Sequence, residues 1–296
     1  MGRLLFIVFY ARTLTYAEAM PDHPQPLHPQ PLHPWPLRDQ LLIVTPHPSG
    51  QLPAQVLRQM LGDDLFNTPK REAFLRRIFL DGDAYTDLLY SLPGARHVQA
   101  PWSRFAVDLN RDRDDRVDNG VIKATDFDRQ PLYPPDTQIS EAEREERLRR
   151  IWDTFDDAVG AELPGARLMI VGHSMASHGP KLGEDTGTPR PAICLMPGTE
   201  DAPTFPRQKW AALKSAAENA FADVIAASPF TRVTLGEPWS VDTLSHNHSR
   251  RSGVPAFGIE FNAGLHLKGG QPVDAAMRQM NAAFAVFADA ALELVN

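Results

Sequence analysis

Short apolar runs alternate with amphipathic stretches along most of this chain. The runs at 41–45 and 168–171 are almost wholly apolar, as in strands that are buried on both faces of a sheet. Further strands are predicted at 104–109, 231–235 and 256–261, and helices at 53–62, 70–80, 140–159, 207–227 and from 272 onward. Strands separated by helices predict an α/β fold, a single domain with a mostly parallel central sheet flanked by helices.

The first 37 residues have a different pattern. Residues 4–11 form a short apolar stretch, and residues 23–37 repeat a five-residue unit of His, Pro and Leu. Alternating prolines remove backbone donors and fix φ, which favours an extended tether. We predict an N-terminal tail over 1–37 and a folded domain over 38–296. A cytoplasmic location is expected, with export as the alternative if the apolar stretch is a working signal segment.

Composition excludes several classes of protein. Thirty Lys and Arg against 37 Asp and Glu give a formal net charge of -7, whereas a nucleic-acid binder needs a basic face. The single cysteine, Cys194, excludes a disulfide framework. No apolar run approaches the roughly 18 residues that span a bilayer, so neither nucleic acid nor a membrane is an expected partner. The sequence does not indicate an oligomeric state.

Polar side chains follow or end four of the predicted strands. His47, the pair Asn110–Arg111, His173 and Glu260 all lie at such positions. In parallel sheets the carboxyl ends of the strands share one edge, where ligands bind. A catalytic zinc uses neutral imidazole and carboxylate ligands, a further carboxylate accepts the proton of a water, and arginine binds an anionic group. The pattern therefore predicts one convergent site with this chemistry.

The order of motifs along 40–268 resembles that of the N-formylglutamate amidohydrolase family, whose fold is that of the zinc carboxypeptidases and aminoacylases. The matching segments are at 46–53, 83–90, 103–111, 131–133, 172–175, 190–195 and 258–262. The resemblance implies a zinc-dependent metallohydrolase domain over 38–296. Its implied substrate is a small N-formyl or N-acyl amino acid, such as N-formyl-L-glutamate, cleaved at the amide.

The resemblance also implies a role for individual residues. His47 and His173 match the metal ligands of one zinc ion per chain, and Asp83 matches the third ligand. Asp81, two residues away, or another acid is the alternative for that third position.

Four further residues match the substrate-binding and catalytic machinery. Asn110 and Arg111 match the pair that holds a substrate carboxylate, and Glu260 matches the general base. Arg104 is expected to polarise the scissile carbonyl or to help bind the carboxylate.

The chain departs from the family pattern at several positions. The turn after His47 is one residue longer, Phe155–Asp156 replaces a Tyr-His pair, Ala192 replaces an aspartate, and 245–251 replaces a glycine-rich loop. We expect these changes to lie where substrate is selected, so a different N-acyl amino acid or a small amide is an alternative substrate. No role is assigned to His246, His248, Arg250 or Arg251.

Two other functions remain open at this point. Residues 171–176 resemble the nucleophile elbow of α/β-hydrolases, with Ser174 as nucleophile and Asp242 with His266 or His248 as its partners. In the other alternative, the site is a non-catalytic module that binds a metal or an anion.

Overall fold

The structure is a computed structural model that describes residues 37–296. The predicted tail over 1–37 lies outside the described residues except for Leu37. Its separation from a domain over 38–296 stays a prediction. Among the described residues, no helix combines the length and the apolar character that crossing a membrane requires.

A six-stranded sheet, ordered β2-β1-β3-β6-β4-β5, forms the centre of the described region. Its strands are β1 Leu41–Thr45, β2 Arg96–Gln99, β3 Leu168–Met175, β4 Ile193–Met196, β5 Val233–Leu235 and β6 Ala256–Asn262. Strands β2, β1, β3 and β6 are parallel, while β4 runs antiparallel to β6 and carries β5 parallel to itself. A separate two-stranded ladder joins β7 Leu267–Lys268 to β8 Gln271–Pro272.

Helices flank this sheet. They are α1 Ala54–Leu61, α2 Thr68–Leu80, α3 Thr86–Leu89, α4 Glu141–Arg147, α5 Thr154–Glu162, α6 Trp210–Ala220, α7 Ala222–Ala226, α8 Thr243–Ser252 and α9 Asp274–Glu293. A π-helical segment, Leu148–Asp153, joins α4 to α5. A capping box begins α4, because the Ser140 hydroxyl accepts from the Glu143 backbone N–H and the Glu143 side chain accepts from the Ser140 backbone N–H in return.

Neighbouring residues of one strand pack into different cores. Leu41 and Ile43 belong to a cluster that α9 covers, whereas Leu42 and Val44 belong to a second cluster that α1 and α5 cover. Successive side chains of a strand point to opposite faces, so an apolar run of this kind requires helices on both sides. The predicted fold class, a mostly parallel central sheet flanked by helices, is confirmed.

The prediction of a strand at 104–109 is wrong. This segment is a series of turns in which the Ala106 N–H donates to Ser103 O and the Asp108 N–H donates to Val121 O. Its apolar residues Phe105 and Val107 are buried, which produces the sequence pattern of a strand without a ladder. Arg104 and Asp108 are buried as an ion pair that holds this turn in place.

Other boundaries also differ from the predictions. The helix predicted over 207–227 is divided at Phe221 into α6 and α7, and α9 begins at Asp274 because Pro272 belongs to β8. The short strands β2 and β4 were not predicted.

Candidate active site

Three parallel neighbours, β1, β3 and β6, bring the predicted side chains to one edge of the sheet. His47 follows β1 by two residues, and His173 lies opposite Glu260 in the register of β3 and β6. Tyr90 lies beneath this edge and donates its hydroxyl to the backbone oxygens of His173 and Ile259. A Cβ atom at Gly172 would lie 2.5 Å from the Tyr90 ring, so only glycine fits there.

Asp83 links the two histidines. It lies between α2 and α3 in the left-handed region, with φ of 62°, a conformation that aspartate adopts more readily than most residues. Its Oδ2 lies 3.0 Å from Nδ1 of His47 and 3.0 Å from Nδ1 of His173. All three side chains are buried, and one ligand atom from each lies within 4.8 Å of the others. This is the donor set of a candidate metal centre.

The outer nitrogens of both histidines face further carboxylates. Nε2 of His47 lies 2.9 Å from Asp108 Oδ1, and Nε2 of His173 lies 2.9 Å from Asp242 Oδ2. Such outer carboxylates fix the tautomer and orientation of metal-binding histidines. Sequence reasoning assigned neither aspartate to this role.

Two buried cations balance these carboxylates. Arg104 contacts Asp83 Oδ1 at 3.1 Å and Asp108 Oδ2 at 3.0 Å, and Lys123 contacts Asp108 Oδ2 at 2.9 Å. Burial alone would raise the pKa of both aspartates, but the nearby cations and histidines hold it well below the usual range. Because its guanidinium is engaged in these pairs, the role of Arg104 at a scissile carbonyl stays a prediction. Lys123 was not predicted from the sequence.

A cavity of about 360 Å³ opens beside the metal-ligand candidates, and His173, Glu260, Asn110 and Arg111 all line it. Oε2 of Glu260 is buried and has no hydrogen-bond partner among the described residues. Burial raises the pKa of Glu260 to about 8, despite the opposing attraction of His173. This carboxyl group is therefore free to exchange a proton with a molecule in the cavity.

The Asn110–Arg111 pair is fixed by backbone groups. Asn110 Oδ1 accepts from the Leu244 N–H at 3.0 Å, and Arg111 donates to the carbonyl oxygens of Asn110 and Asn119. Within residues 37–296, the hydrogen bonds of the Arg111 guanidinium go to backbone oxygens and not to a carboxylate. Its positive charge is therefore available for an anionic group in the cavity.

The two candidates for the third ligand have different surroundings. Asp81 terminates α2 and accepts from the Phe127 N–H at 3.0 Å. It also lines the cavity, but the group of potential ligands contains Asp83 and not Asp81.

The family departures are not among the residues that line the cavity, and a role for them in selecting substrate stays a prediction. Ala192 and Phe155 are buried in the two cores, and Asp156 contacts His248 and Arg251. The segment 245–251 lies in α8, from which only Thr243 reaches the cavity.

The alternative serine-hydrolase triad is not assembled. Ser174 lines the cavity, but the Asp242 carboxylate contacts His173 and the N–H of Ser245. His248 pairs with Asp156, and neither ring nitrogen of His266 has a hydrogen-bond partner among the described residues. No histidine therefore connects Ser174 to Asp242 in the described part of the chain.

Together, the fold and this site define an α/β protein with a buried candidate metal centre at the edge of its sheet. The family model for N-formylglutamate amidohydrolase matches residues 39–267. The chain belongs to that family.

Similar proteins agree with this assignment. An N-formylglutamate deformylase of Pseudomonas aeruginosa is 32% identical over 162 residues, which cover 49% of this chain and 55% of that protein. One of Pseudomonas putida is 31% identical over 153 residues, with 48% and 54% covered. The chain thus spans about half the length of these curated relatives. The crystal structure of N-formylglutamate amidohydrolase from Ralstonia eutropha JMP134 has a TM-score of 0.63 at 19% identity, covering 84% of this chain and 92% of that one, which shows the same fold.

Proposed function

We propose that this protein is a zinc-dependent amidohydrolase that removes the formyl group of N-formyl-L-glutamate. The observation that carries the proposal is the buried group in which Asp83 Oδ2 lies 3.0 Å from Nδ1 of both His47 and His173. Family membership and the names of the Pseudomonas relatives support the substrate.

The residues present fit a zinc ion. Two imidazole nitrogens and one carboxylate match a catalytic zinc site, which keeps one position open. Magnesium and calcium prefer oxygen ligands throughout, so the two histidines favour zinc. His47, Asp83 and His173 would hold the ion. When bound, it supplies a Lewis acid for the formyl carbonyl.

Arg111 and Asn110 bind the substrate in this proposal. The planar guanidinium of Arg111 offers two parallel donors to the α-carboxylate, and the Asn110 amide lies 3.5 Å from Nε2 of His173. Anchoring the carboxylate there holds the amide beside the metal-ligand candidates. Fixing the reacting groups in this way lowers the entropic part of the barrier.

Glu260 moves the proton. Its unpartnered Oε2 accepts a proton from the attacking water and later delivers it to the leaving amine. Because burial raises the pKa of Glu260 to about 8, both the ionised form that the first step needs and the protonated form that the second step needs are populated at neutral to slightly alkaline pH. Arg104 and Lys123 keep Asp83 and Asp108 ionised, so these two carboxylates stay charged while Glu260 exchanges its proton.

Metal analysis combined with a formate-release assay tests the proposal. The purified full chain is expected to bind one equivalent of zinc and to release formate from N-formyl-L-glutamate. His173→Ala should lose both the metal and the activity. His178→Ala, which removes an exposed histidine of the following loop, is the matched control and should retain both.

Two results would overturn this function. Stoichiometric zinc in His173→Ala would show that the metal binds elsewhere. Zinc binding without hydrolysis of any N-formyl amino acid by the unmodified protein would support the non-catalytic alternative instead.

A further inference from the structure

We propose that Arg190 binds the side-chain carboxylate of the substrate and thereby makes the site selective for N-formyl amino acids with acidic side chains. This inference rests on the proposed function and assigns a residue to the second carboxylate of the substrate. Arg111 would hold the carboxylate that all N-formyl amino acids share.

The direction of β4 brings Arg190 to the site. Because β4 runs antiparallel to β6, the start of β4 lies at the same edge of the sheet as the end of β6. Arg190 precedes β4 by three residues, and its backbone oxygen accepts from the Asn262 side chain at the end of β6. The side chain lines the cavity that also contains Glu260 and His173.

The Arg190 guanidinium is fixed before any substrate arrives. Its Nε and Nη2 donate to the two carboxylate oxygens of Asp185 at 2.7 and 3.0 Å. Its Cζ lies 4.5 Å from the centre of the Trp239 ring, another side chain of the cavity wall. Only 6% of the Arg190 side chain is exposed. A fixed guanidinium loses little conformational entropy when it binds an anion.

One edge of this guanidinium remains available. Nη1 of Arg190 has no hydrogen-bond partner among the described residues, and a guanidinium nitrogen of this kind carries two donor hydrogens. Oε2 of Glu260 does not accept from them, since it has no hydrogen-bond partner among the described residues. A carboxylate on a ligand side chain would satisfy this edge, whereas an apolar side chain would leave it unpaired in a buried site.

The charges of the wall also favour a dianionic substrate. In the described region Arg111 has no carboxylate partner, and the carboxylate that pairs with Arg190, Asp185, is 23% exposed. Solvent reduces the neutralising effect of such a carboxylate. Besides Arg104, which pairs with Asp83 and Asp108, the cavity therefore offers two separate cationic groups, which matches the two carboxylates of N-formylglutamate.

Substrate selectivity of the zinc-loaded full chain tests the role of Arg190. The measured quantity is the ratio of kcat/KM for N-formyl-L-glutamate to that for N-formyl-L-glutamine, which differ in one charge. Arg190→Gln is expected to lower this ratio roughly 30-fold, since removal of a buried charge partner has an effect of that order. Arg111→Gln should lower kcat/KM for both compounds and change the ratio less than about threefold, because both carry the α-carboxylate.

Two further variants separate the effect of the Arg190 guanidinium on selectivity from the effect of the loop that carries Asp185. Asp185→Asn keeps the guanidinium and its contact with Trp239, so we expect it to keep the preference for N-formylglutamate. Arg190→Lys keeps a charge but lacks the second planar edge, so its ratio should fall between those of the unmodified protein and Arg190→Gln. If melting curves and zinc content show that Arg190→Gln does not fold, Arg190→Lys takes its place in the comparison.

Three outcomes would overturn the inference. They are an unchanged ratio in Arg190→Gln, an equal loss for both substrates in that variant, and a loss of preference in Asp185→Asn as large as in Arg190→Gln. If the unmodified protein hydrolyses neither compound, the proposed function fails. In that case, calorimetry of the binding of the same two compounds to the unmodified protein and to Arg190→Gln tests the role of Arg190 independently of catalysis.

Discussion

His173 and His266 are equally buried, each about 1% exposed, yet they lie in opposite electrostatic environments. The ring of His173 has a carboxylate at each nitrogen, Asp83 on one side and Asp242 on the other. Neither ring nitrogen of His266 has a hydrogen-bond partner among the described residues. Burial is therefore common to both, and only the carboxylates distinguish a candidate ligand from a histidine of the interior.

The pKa values of the two histidines follow from this difference. Burial alone would lower the pKa of His173, but the hydrogen bonds to Asp242 and Asp83 raise it to about 10. For His266, burial acts unopposed and lowers the pKa to about 4. A site that stabilises a proton on a buried imidazole in this way also suits another cation in the same position. The surroundings of the His266 ring disfavour a cation.

The largest expected effect concerns the proton carrier next to His173. Glu260→Gln preserves size and hydrogen bonding but removes the basic group, so kcat for N-formyl-L-glutamate should fall about 10²–10⁴-fold. Zinc should remain bound, because Glu260 does not belong to the group of potential ligands. Steady-state kinetics and metal analysis on the same preparation measure both quantities.

Ser174→Ala is the matched control for that prediction. It alters a side chain in the same cavity and should retain most of the activity, since no histidine of the described residues connects Ser174 to Asp242. An inactive Ser174→Ala together with an active Glu260→Gln would contradict the proposed mechanism.

The contrast between the two histidines also shows what the sequence could predict. His47, His173 and Glu260 follow or end apolar runs that do form strands, so their convergence at one edge could be predicted from the pattern. Asp83 lies in a turn with left-handed backbone, and only the family resemblance pointed to it.

The carboxylates and cations around these residues could not be predicted in the same way. Asp108, Lys123 and Asp242 lie in loops or at a helix start, and they meet the histidines only through tertiary packing. Hydrophobic periodicity carries no information about such contacts. The same limit explains the wrong strand at 104–109, where apolar side chains are buried by a turn that an ion pair holds in place.

The next prediction concerns His266 and has a defined sign. The folded state excludes a proton from this ring until about pH 4, whereas the unfolded chain binds it near pH 6.5. The unfavourable contribution of His266 to the free energy of unfolding is therefore nearly absent above about pH 6.5. It grows as the pH falls from there towards about 4. His266→Leu should reduce the loss of unfolding free energy between about pH 7 and pH 4 by about 3 kcal/mol.

Urea unfolding at the two pH values measures this difference. His97→Leu serves as a control, because His97 is exposed and its Nε2 already contacts the backbone of Leu92. An acid dependence that is unchanged in His266→Leu would show that the ring gains a proton partner in solution, and the contrast with His173 would then fail.

The smallest expected effect tests whether the outer carboxylate is what makes His173 a ligand. Asp242→Asn keeps an oxygen that can accept from the Ser245 N–H at the start of α8, so the helix should remain. It removes the negative charge 2.9 Å from Nε2 of His173. Loss of such an outer partner weakens metal binding about 10–100-fold, which competition with a zinc-binding dye can measure.

Asp156→Asn makes the same change beside His248, outside the site, and should leave zinc affinity unaltered. Equal affinities in all three proteins would mean that Asp242 serves only as a helix cap, and that Asp83 alone distinguishes His173 from His266.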